Sequence, residues 1–556
     1  MPKTVPDVKK RVSGVALLTA SNLFVKAAGL LFKIPLSRTL GDAGMGYLNA
    51  AYSIYTAFYM ISTAGLPVAL AVLVAQNRAA GNLLGAKQIF RRSTALFVSV
   101  GLALSLVMLF FADTLASLIG SPASAPSIRT AAPTVCLISL SAAIRGYFQG
   151  SGNLAPTALS QFIEAAGRLV FGVGGALWAV RMGRSAPEAA SLAALGLTGG
   201  SFFGLLYLLI VRSIRSNRDL FCGVPVRNKN LGTRETLSRV ARLALPVTVG
   251  AAAASLSSLL DTVLIQRALT ASGFGEQSAA ALYGNYTSLA VPMFNLPPVL
   301  VYPVAYALTP AVAADLAEGN REAALRRITD ALRFAFFIGL PCAAGLAVLA
   351  DPILCLFFRP SSARLAAPLL TRLAPASFLV CVLAVTNAAL QGCGMPQKPV
   401  VSIVTGSLVK AGAEIILLRE FGIRGAPDST LLCTLTAAAM NLCFLARAVR
   451  PADSPADSPA VSPAVSPAVS PGFFPQRMGK DLLKLALIAL CGGLCGVSAV
   501  LFHRGLLAAL RLPERIAGPL SCAGAIVGAA LVYFLAVLFT GAVGREELKK
   551  LKGRVK

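Results

Sequence analysis

Eight ionisable side chains lie inside stretches otherwise apolar enough to cross a bilayer: Lys26, Lys33, Arg145, Glu164, Arg168, Asp261, Lys410 and Glu414. A charge at such a depth costs about 2.5–3.5 kcal/mol even on insertion scales, so it persists where it meets a watery cavity or an opposite charge. Glu164/Arg168 and Lys410/Glu414 are each spaced i,i+4, on one helical face. They occupy matching places in two halves of the chain with the signs exchanged, and each pair either serves a cavity or simply neutralises itself. Lys26 sits near the middle of its stretch with no acid within helical reach, which favours a cavity-facing role over snorkelling. Lys33 lies closer to an end, where snorkelling competes equally. Arg145 stands one turn before Gln149-Gly150-Ser151-Gly152, so a cytoplasmic anchor competes with a binding role. Asp261 precedes Arg267 and would meet Lys33 if the first and seventh helices face one another. Where uncompensated, these charges lean cationic, with Asp261 the exception. A cation in a low-dielectric, water-filled cleft attracts an anion such as a phosphate or pyrophosphate. An exporter of drug cations or Na⁺ would be expected to place unpaired carboxylates there.

The elements that must hold these groups are membrane helices. The chain has 556 residues, 56% hydrophobic and only 13% charged, too little charge to cover a soluble surface of this size. Apolar runs of roughly 20 residues recur throughout, and the alternation of a β-barrel is absent. Fourteen spans are predicted, near 13–37, 46–75, 92–112, 129–149, 156–180, 190–211, 243–268, 280–312, 331–350, 368–391, 399–418, 428–447, 482–502 and 516–541. The first follows Lys9, Lys10 and Arg11 without a small-residue cleavage site and is expected to be an uncleaved helix. The net charge of +27 sits in short loops between spans, as the positive-inside rule expects, and so does not point to nucleic acid. Placing Arg78/Lys87/Arg91/Arg92, Arg212 to Arg242, Arg321/Arg326/Arg327/Arg333 and Arg545 to Lys556 on one side makes both termini cytoplasmic. Scattered cysteines without CxxC spacing and a single histidine, His503, argue against metal or His-based chemistry.

The sequence can also be read twice. Gly65-Leu66-Pro67-Val68-Ala69 leads to Gly81-Asn82, as Pro303-Val304-Ala305 leads to Gly319-Asn320. Ala112-Asp113 matches Ala350-Asp351, and Gln149-Gly150-Ser151-Gly152 matches Gln391-Gly392-Cys393-Gly394. Each repeat holds six spans, so the halves share one orientation and are related by an axis along the membrane normal. The expected class is an all-α polytopic membrane protein. It divides into an N-lobe (1–212), a basic cytoplasmic connector (213–242), a C-lobe (243–450), a Pro/Ser/Ala-rich linker (451–475), two extra helices (476–541) and a basic tail (542–556). Helix breakers gather at equivalent places: Gly65 and Pro67 in the second span, and Pro292, Pro297, Pro298, Pro303 and Pro310 in the eighth. Both spans also carry Tyr-x-x-Tyr-Thr, Tyr52/Tyr55 and Tyr283/Tyr286, as cavity lining or as interface anchors. Proline frees carbonyls that only protein or a watery cavity can take up, which makes these two helices candidates for bending.

Arg145-Gly146-Tyr147-Phe148-Gln149-Gly150, with Asn153-Leu154, Pro156, Ser160-Gln161, Glu164 and Arg168, resembles the stage V sporulation protein B group. That group belongs to the polysaccharide-biosynthesis branch of the MOP (MATE-like) flippase superfamily. Gly65-Leu66-Pro67-Val68-Ala69, Val74-Ala75 and Gly41-x-x-Gly44-x-Gly46 fit the same group, over roughly residues 10 to 450. The resemblance implies two six-helix lobes alternating between inward-open and outward-open states, with undecaprenyl-diphosphate-linked saccharides, lipid II included, as substrates. In MurJ-like members a basic residue of the first helix lies in the central cavity, and Lys26 falls at a matching place. Such members also hold the lipid tail in a groove involving the last two helices. The repetitive linker before that pair departs from the family.

The expected protein is thus a flippase rather than an enzyme, with no cofactor. Lys26, Lys33, Arg145 and Arg168 would hold the diphosphate and sugar while the prenyl tail stays in lipid. Gly81-Asn82-Leu83-Leu84-Gly85-Ala86-Lys87 has the wrong spacing for a P-loop, so energy must come from gradients or from consumption of product. Coupling to H⁺ or Na⁺ through Glu164 or Asp261 stays open, as do contacts with cell-wall synthesis proteins. The chief rival is a MATE-type cation antiporter. A membrane enzyme acting on the same lipid would need longer outer loops, and a non-transporting scaffold would tolerate neutralised Lys26.

Overall fold

The computed structural model describes residues 8–219, 232–449, 473–509 and 514–540. All regular elements among these are helical. The chain divides into two compact units, Met1–Ser288 and Leu289–Lys556. The first holds α1 (Val8–Thr63), α2 (Leu66–Ala79), α3 (Leu83–Phe110), α4 (Ala112–Ile119), α5 (Ala125–Gly150), α6 (Ala155–Arg181), α7 (Ala186–Asp219), α8 (Thr233–Ala271) and α9 (Glu276–Asn285). The second holds α10 (Val291–Phe294), α11 (Leu296–Ala317), α12 (Arg321–Val348), α13 (Ala350–Phe357), α14 (Pro360–Gly392), α15 (Gln397–Phe421), α16 (Gly425–Val449), α17 (Phe473–Ala509) and α18 (Glu514–Phe539). A π-helical turn, Tyr286–Ala290, joins α9 to α10. The boundary between units therefore falls inside the predicted eighth span, and residues 243–288 pack with the first unit although the repeat counts them with the second half.

Twelve helical stretches among the described residues are long and apolar enough to cross a membrane. Two of them take in more than one predicted span: Phe32–Ala79 holds the end of the first and all of the second, and Gln397–Ala448 all of the eleventh and twelfth. Phe32–Ala79 is divided at Gly41, whose φ of 69° is non-helical, and again at Gly65. The exterior matches a bilayer environment: Phe110, Leu490 and Phe539 are 74%, 72% and 89% exposed, a burden that a water-facing surface would not carry. The repetitive linker lies almost wholly, and the C-terminal basic tail wholly, outside the described residues, as does much of the basic connector.

The repeat is visible as geometry. Gly81 and Gly319 take φ of 73° and 75°, a left-handed conformation that glycine adopts freely. The asparagine after each then caps a long helix: Asn82 Oδ1 accepts from Gly85 N at 2.9 Å, and Asn320 Oδ1 from Ala323 N at 3.0 Å. The short helices α4 and α13 begin at the matched Ala112-Asp113 and Ala350-Asp351, and neither was foreseen. In each unit the core follows the same order of elements. Leu66, Leu70 and Val74 of α2 pack on Ile89 and Phe90 of α3 and on Ile144 and Phe148 of α5. Val301, Leu308 and Val312 of α11 pack on Ile328 and Ala335 of α12 and on Val385 and Leu390 of α14. The extra helices α17 and α18 dock on α12, where Tyr533 Oη donates to Phe337 O at 2.9 Å.

Lipid tails give no hydrophobic drive for helix association, so close packing of small residues must supply it. The pair α6 and α7 shows this. A Cβ built on Gly200 would lie 2.4 Å from Glu164 O and 2.8 Å from Arg168 N, and one on Gly167 would lie 2.8 Å from Gly200 Cα. Gly200→Leu would force the helices apart at the residues that carry Glu164 and Arg168. A stability loss of about 1–3 kcal/mol is expected from such overpacking, read as a lowered melting temperature of the detergent-solubilised protein.

Candidate functional site

Three of the predicted charges meet in the first unit. Arg145 on α5 and Glu164 and Arg168 on α6 form one cluster, with Glu164 at its centre. Arg145 Nη2 donates to Glu164 Oε2 at 2.8 Å, and Arg168 Nη2 to Glu164 Oε1 at 3.3 Å. Arg145 Nε also donates to Ser160 Oγ at 3.0 Å, and that hydroxyl donates onward to Thr157 O at 2.8 Å. Arg145 is therefore a partner of the buried carboxylate. The Arg145 and Glu164 side chains are each 12% exposed, against 26% for Arg168. Two guanidiniums share one carboxylate, so the cluster carries a net charge of +1, and Arg168 Nε is buried with no hydrogen-bond partner.

A ladder of phenols from α1 flanks the cluster. Tyr52 and Tyr55 have ring centroids 5.6 Å apart, and Tyr55 stacks on Tyr59 at 5.9 Å. Helix α1, which carries all three, packs against both α5 and α6. Tyr55 is buried while Tyr52 is 41% exposed, so only part of the expected aromatic pair is enclosed. Tyr59 and Ser160 were not singled out as site residues. The 52/55/59 spacing, three then four residues along a helix, was the available signal for Tyr59.

Lys33 reaches a backbone carbonyl. Helices α1 and α8 do pack together, yet the Lys33 ammonium donates to the carbonyl of Thr287 at 2.9 Å. Thr287 lies in the π-helical turn, where the wider i→i+5 register leaves a carbonyl for an outside donor. Asn49 of α1 braces the same turn, donating to Thr287 Oγ1 at 3.0 Å and to Ser288 Oγ. Tyr283 shares a 2.9 Å hydrogen bond with Thr262, and both Tyr283 and Tyr286 are buried. Asp261 is half-buried on α8. Lys26 belongs to α1, but its side chain lies outside the described residues. In the second unit Lys410 and Glu414 stand one turn apart on α15, with Glu414 fully buried.

The expected breakers also resolve into distinct roles. Gly65 precedes α2 and donates its N–H to Thr248 Oγ1 at 3.1 Å; a Cβ there would lie 2.1 Å from Ala244 O. Pro67 sits in the first turn of α2, and Pro297 and Pro298 in the first turn of α11, where a missing N–H costs little. Pro303 lies inside α11 and removes an interior donor. One turn beyond Arg168, an apolar groove of about 590 Å³ opens between α6 and α7, lined by Val170, Phe171, Trp178, Leu195 and Phe202. Its lining is that of a lipid-facing surface.

Chemically, two guanidiniums around one carboxylate form a cationic group suited to an anion. The chain is 25% identical over 440 residues to the stage V sporulation protein B of Bacillus subtilis (strain 168), covering 77% of this chain and 83% of that protein. It is 24% identical over 439 residues to the lipid II flippase MurJ of the same organism, covering 76% and 80%. Among solved structures, lipid II flippase MurJ in an inward closed conformation matches with a TM-score of 0.66 at 15% identity, over 94% of this chain and 98% of that one. An inward-facing multidrug resistance MATE family transporter of the MOP superfamily matches with a TM-score of 0.63 at 18% identity, over 79% and 98%. These two likenesses show the fold. The MatE family matches residues 246–415. The polysaccharide biosynthesis protein family matches residues 12–314, more than half of the sequence, and the chain belongs to that family.

Proposed function

We propose that this multi-pass membrane protein is a flippase that carries an undecaprenyl-diphosphate-linked saccharide, lipid II or a related precursor, from the inner to the outer leaflet of the plasma membrane by alternating access. The observation that carries the reading is the buried Arg145–Glu164–Arg168 cluster with its net positive charge. A cation held at that depth is matched to a diphosphate. Lys33 and Lys26 on α1 would add to the same field, and the prenyl tail would remain in lipid. Moving an anionic diphosphate outward, down the gradient set by an inside-negative potential, is favourable by about 2.3 kcal/mol per charge per 100 mV of field crossed, so transport needs no nucleotide. Coupling to H⁺ or Na⁺ through Glu164 or Asp261 belongs to this proposal, as do cytoplasmic termini and bending at Gly65–Pro67 and around Pro297, Pro298 and Pro303. The predicted lobes, 1–212 and 243–450, are the bodies that would alternate.

The MATE match over residues 246–415 supports a second reading, a cation antiporter. Against it, the buried carboxylate Glu164 is already neutralised by two arginines. The deciding experiment is a leaflet-accessibility assay for lipid II in cells depleted of this protein and of competing flippases. Depletion is expected to abolish exposure of lipid II at the outer face, and Lys26→Ala to fail to restore it. Normal exposure in depleted cells would remove lipid II as substrate. Restored exposure with Lys26→Ala would remove Lys26 from the site.

A further inference from the structure

On the flippase reading, we propose that Glu164 is an internal counter-ion that the substrate diphosphate displaces from the arginines. The two carboxylate oxygens each serve a different guanidinium, Oε2 at 2.8 Å from Arg145 and Oε1 at 3.3 Å from Arg168. Neighbouring oxygens of a phosphate engage arginines in the same manner, with more charge and more acceptors. The carboxylate does not satisfy the set: Arg168 Nε stays buried without a partner. Arg145 does not depend on Glu164 for its place, because Ser160 Oγ holds its Nε at 3.0 Å and is itself tied to Thr157 O. The arginine is thus prepositioned and the carboxylate is the exchangeable group. The phenols of Tyr52, Tyr55 and Tyr59 belong to α1, which packs against both α5 and α6.

Such an arrangement solves two problems together. Between cycles, Glu164 lowers the uncompensated charge of the two guanidiniums from +2 to +1. During a cycle, it competes with the diphosphate and keeps the lipid from binding too tightly to leave, the balance that any translocation site requires. Glu164 would then set affinity and turnover in opposite directions.

The test compares wild type and Glu164→Gln for binding of undecaprenyl diphosphate in detergent micelles and for lipid II exposure in cells. Glu164→Gln is expected to bind the diphosphate lipid about tenfold more tightly and to expose lipid II more slowly. Equal or weaker binding by the variant would overturn the displacement and make Glu164 an organiser of the arginines. Absence of binding by both proteins would instead remove the flippase reading on which the proposal rests. A readout on the wild-type chain covers a variant that fails to fold. Labelling of Glu164 by a hydrophobic carbodiimide, followed by mass spectrometry, is expected to rise when undecaprenyl diphosphate is added. Unchanged labelling would overturn the proposal.

Discussion

Arg168→Ala is expected to leave the protein folded while lowering outer-leaflet exposure of lipid II by about two orders of magnitude. The fold survives because Arg145 and Glu164 remain paired at 2.8 Å and neutral as a couple. Function fails because the cluster falls from a net charge of +1 to zero. One unit charge about 5 Å from a phosphate, at an effective dielectric of about 20, is worth roughly 3 kcal/mol, which converts to a factor of more than one hundred. Arg168→Lys should recover part of the loss, since it keeps the charge but not the planar fork that meets two oxygens. Lipid II exposure in cells carrying each variant gives the ranking, with circular dichroism of the purified proteins as the control for folding. Wild-type exposure with Arg168→Ala would separate this cluster from transport. Under the antiporter reading the same substitution would improve binding of organic cations, so a cation-efflux measurement on the same cells discriminates the two.

Parts of this site could be read along the chain and parts could not, for identifiable reasons. The pairing of Glu164 with Arg168 follows from an i,i+4 spacing, a local property of one helix. That Arg145 would join them depends on how α5 and α6 pack, and its place just before Gln149-Gly150 suggested a helix end instead. Ser160, which fixes Arg145, stands in the block that carries the resemblance, but an uncharged hydroxyl gave no sign of its partner. The Gly-Asn turns at Gly81-Asn82 and Gly319-Asn320 were evident as repeated words, because left-handed glycine and capping asparagine are requirements of the residues themselves. The partner of Lys33 was hidden for the opposite reason. A carbonyl released by a π-helical turn at Tyr286–Ala290 comes from backbone register, and no side-chain pattern encodes it directly. The helices α4 and α13 span eight residues each, too short for a periodicity argument built for bilayer spans. The division at Ser288 and Leu289 arises because small residues bring α8 and α9 onto the first unit. A Cβ on Gly46 would lie 1.9 Å from Ala280 O, and one on Gly65 would lie 2.1 Å from Ala244 O. Repetition in sequence records ancestry of the halves, whereas packing follows such contacts.

Arg145→Ala should behave unlike Arg168→Ala, with its main effect on stability. It removes the shorter of the two contacts to Glu164 and leaves a carboxylate that is only 12% exposed with one partner at 3.3 Å. Breaking a buried pair from one side costs about 3–5 kcal/mol. The surviving Arg168 contact places the expected loss at the lower end, about 3 kcal/mol. The chain offers its own probe, since its single tryptophan, Trp178, lies on α6 with Glu164 and Arg168. Denaturation in mixed micelles followed by Trp178 fluorescence should show the transition shifted to lower denaturant, with Arg145→Lys intermediate. Lysine keeps a charge opposite Glu164 but has no guanidinium to hold Ser160 and Glu164 from separate nitrogens. The order wild type, lysine, alanine would identify the loss as that of a charge-assisted, two-pronged contact. A transition for Arg145→Ala within about 0.5 kcal/mol of wild type, the range of ordinary surface substitutions, would mean that the helices α5 and α6 do not depend on this arginine for their packing.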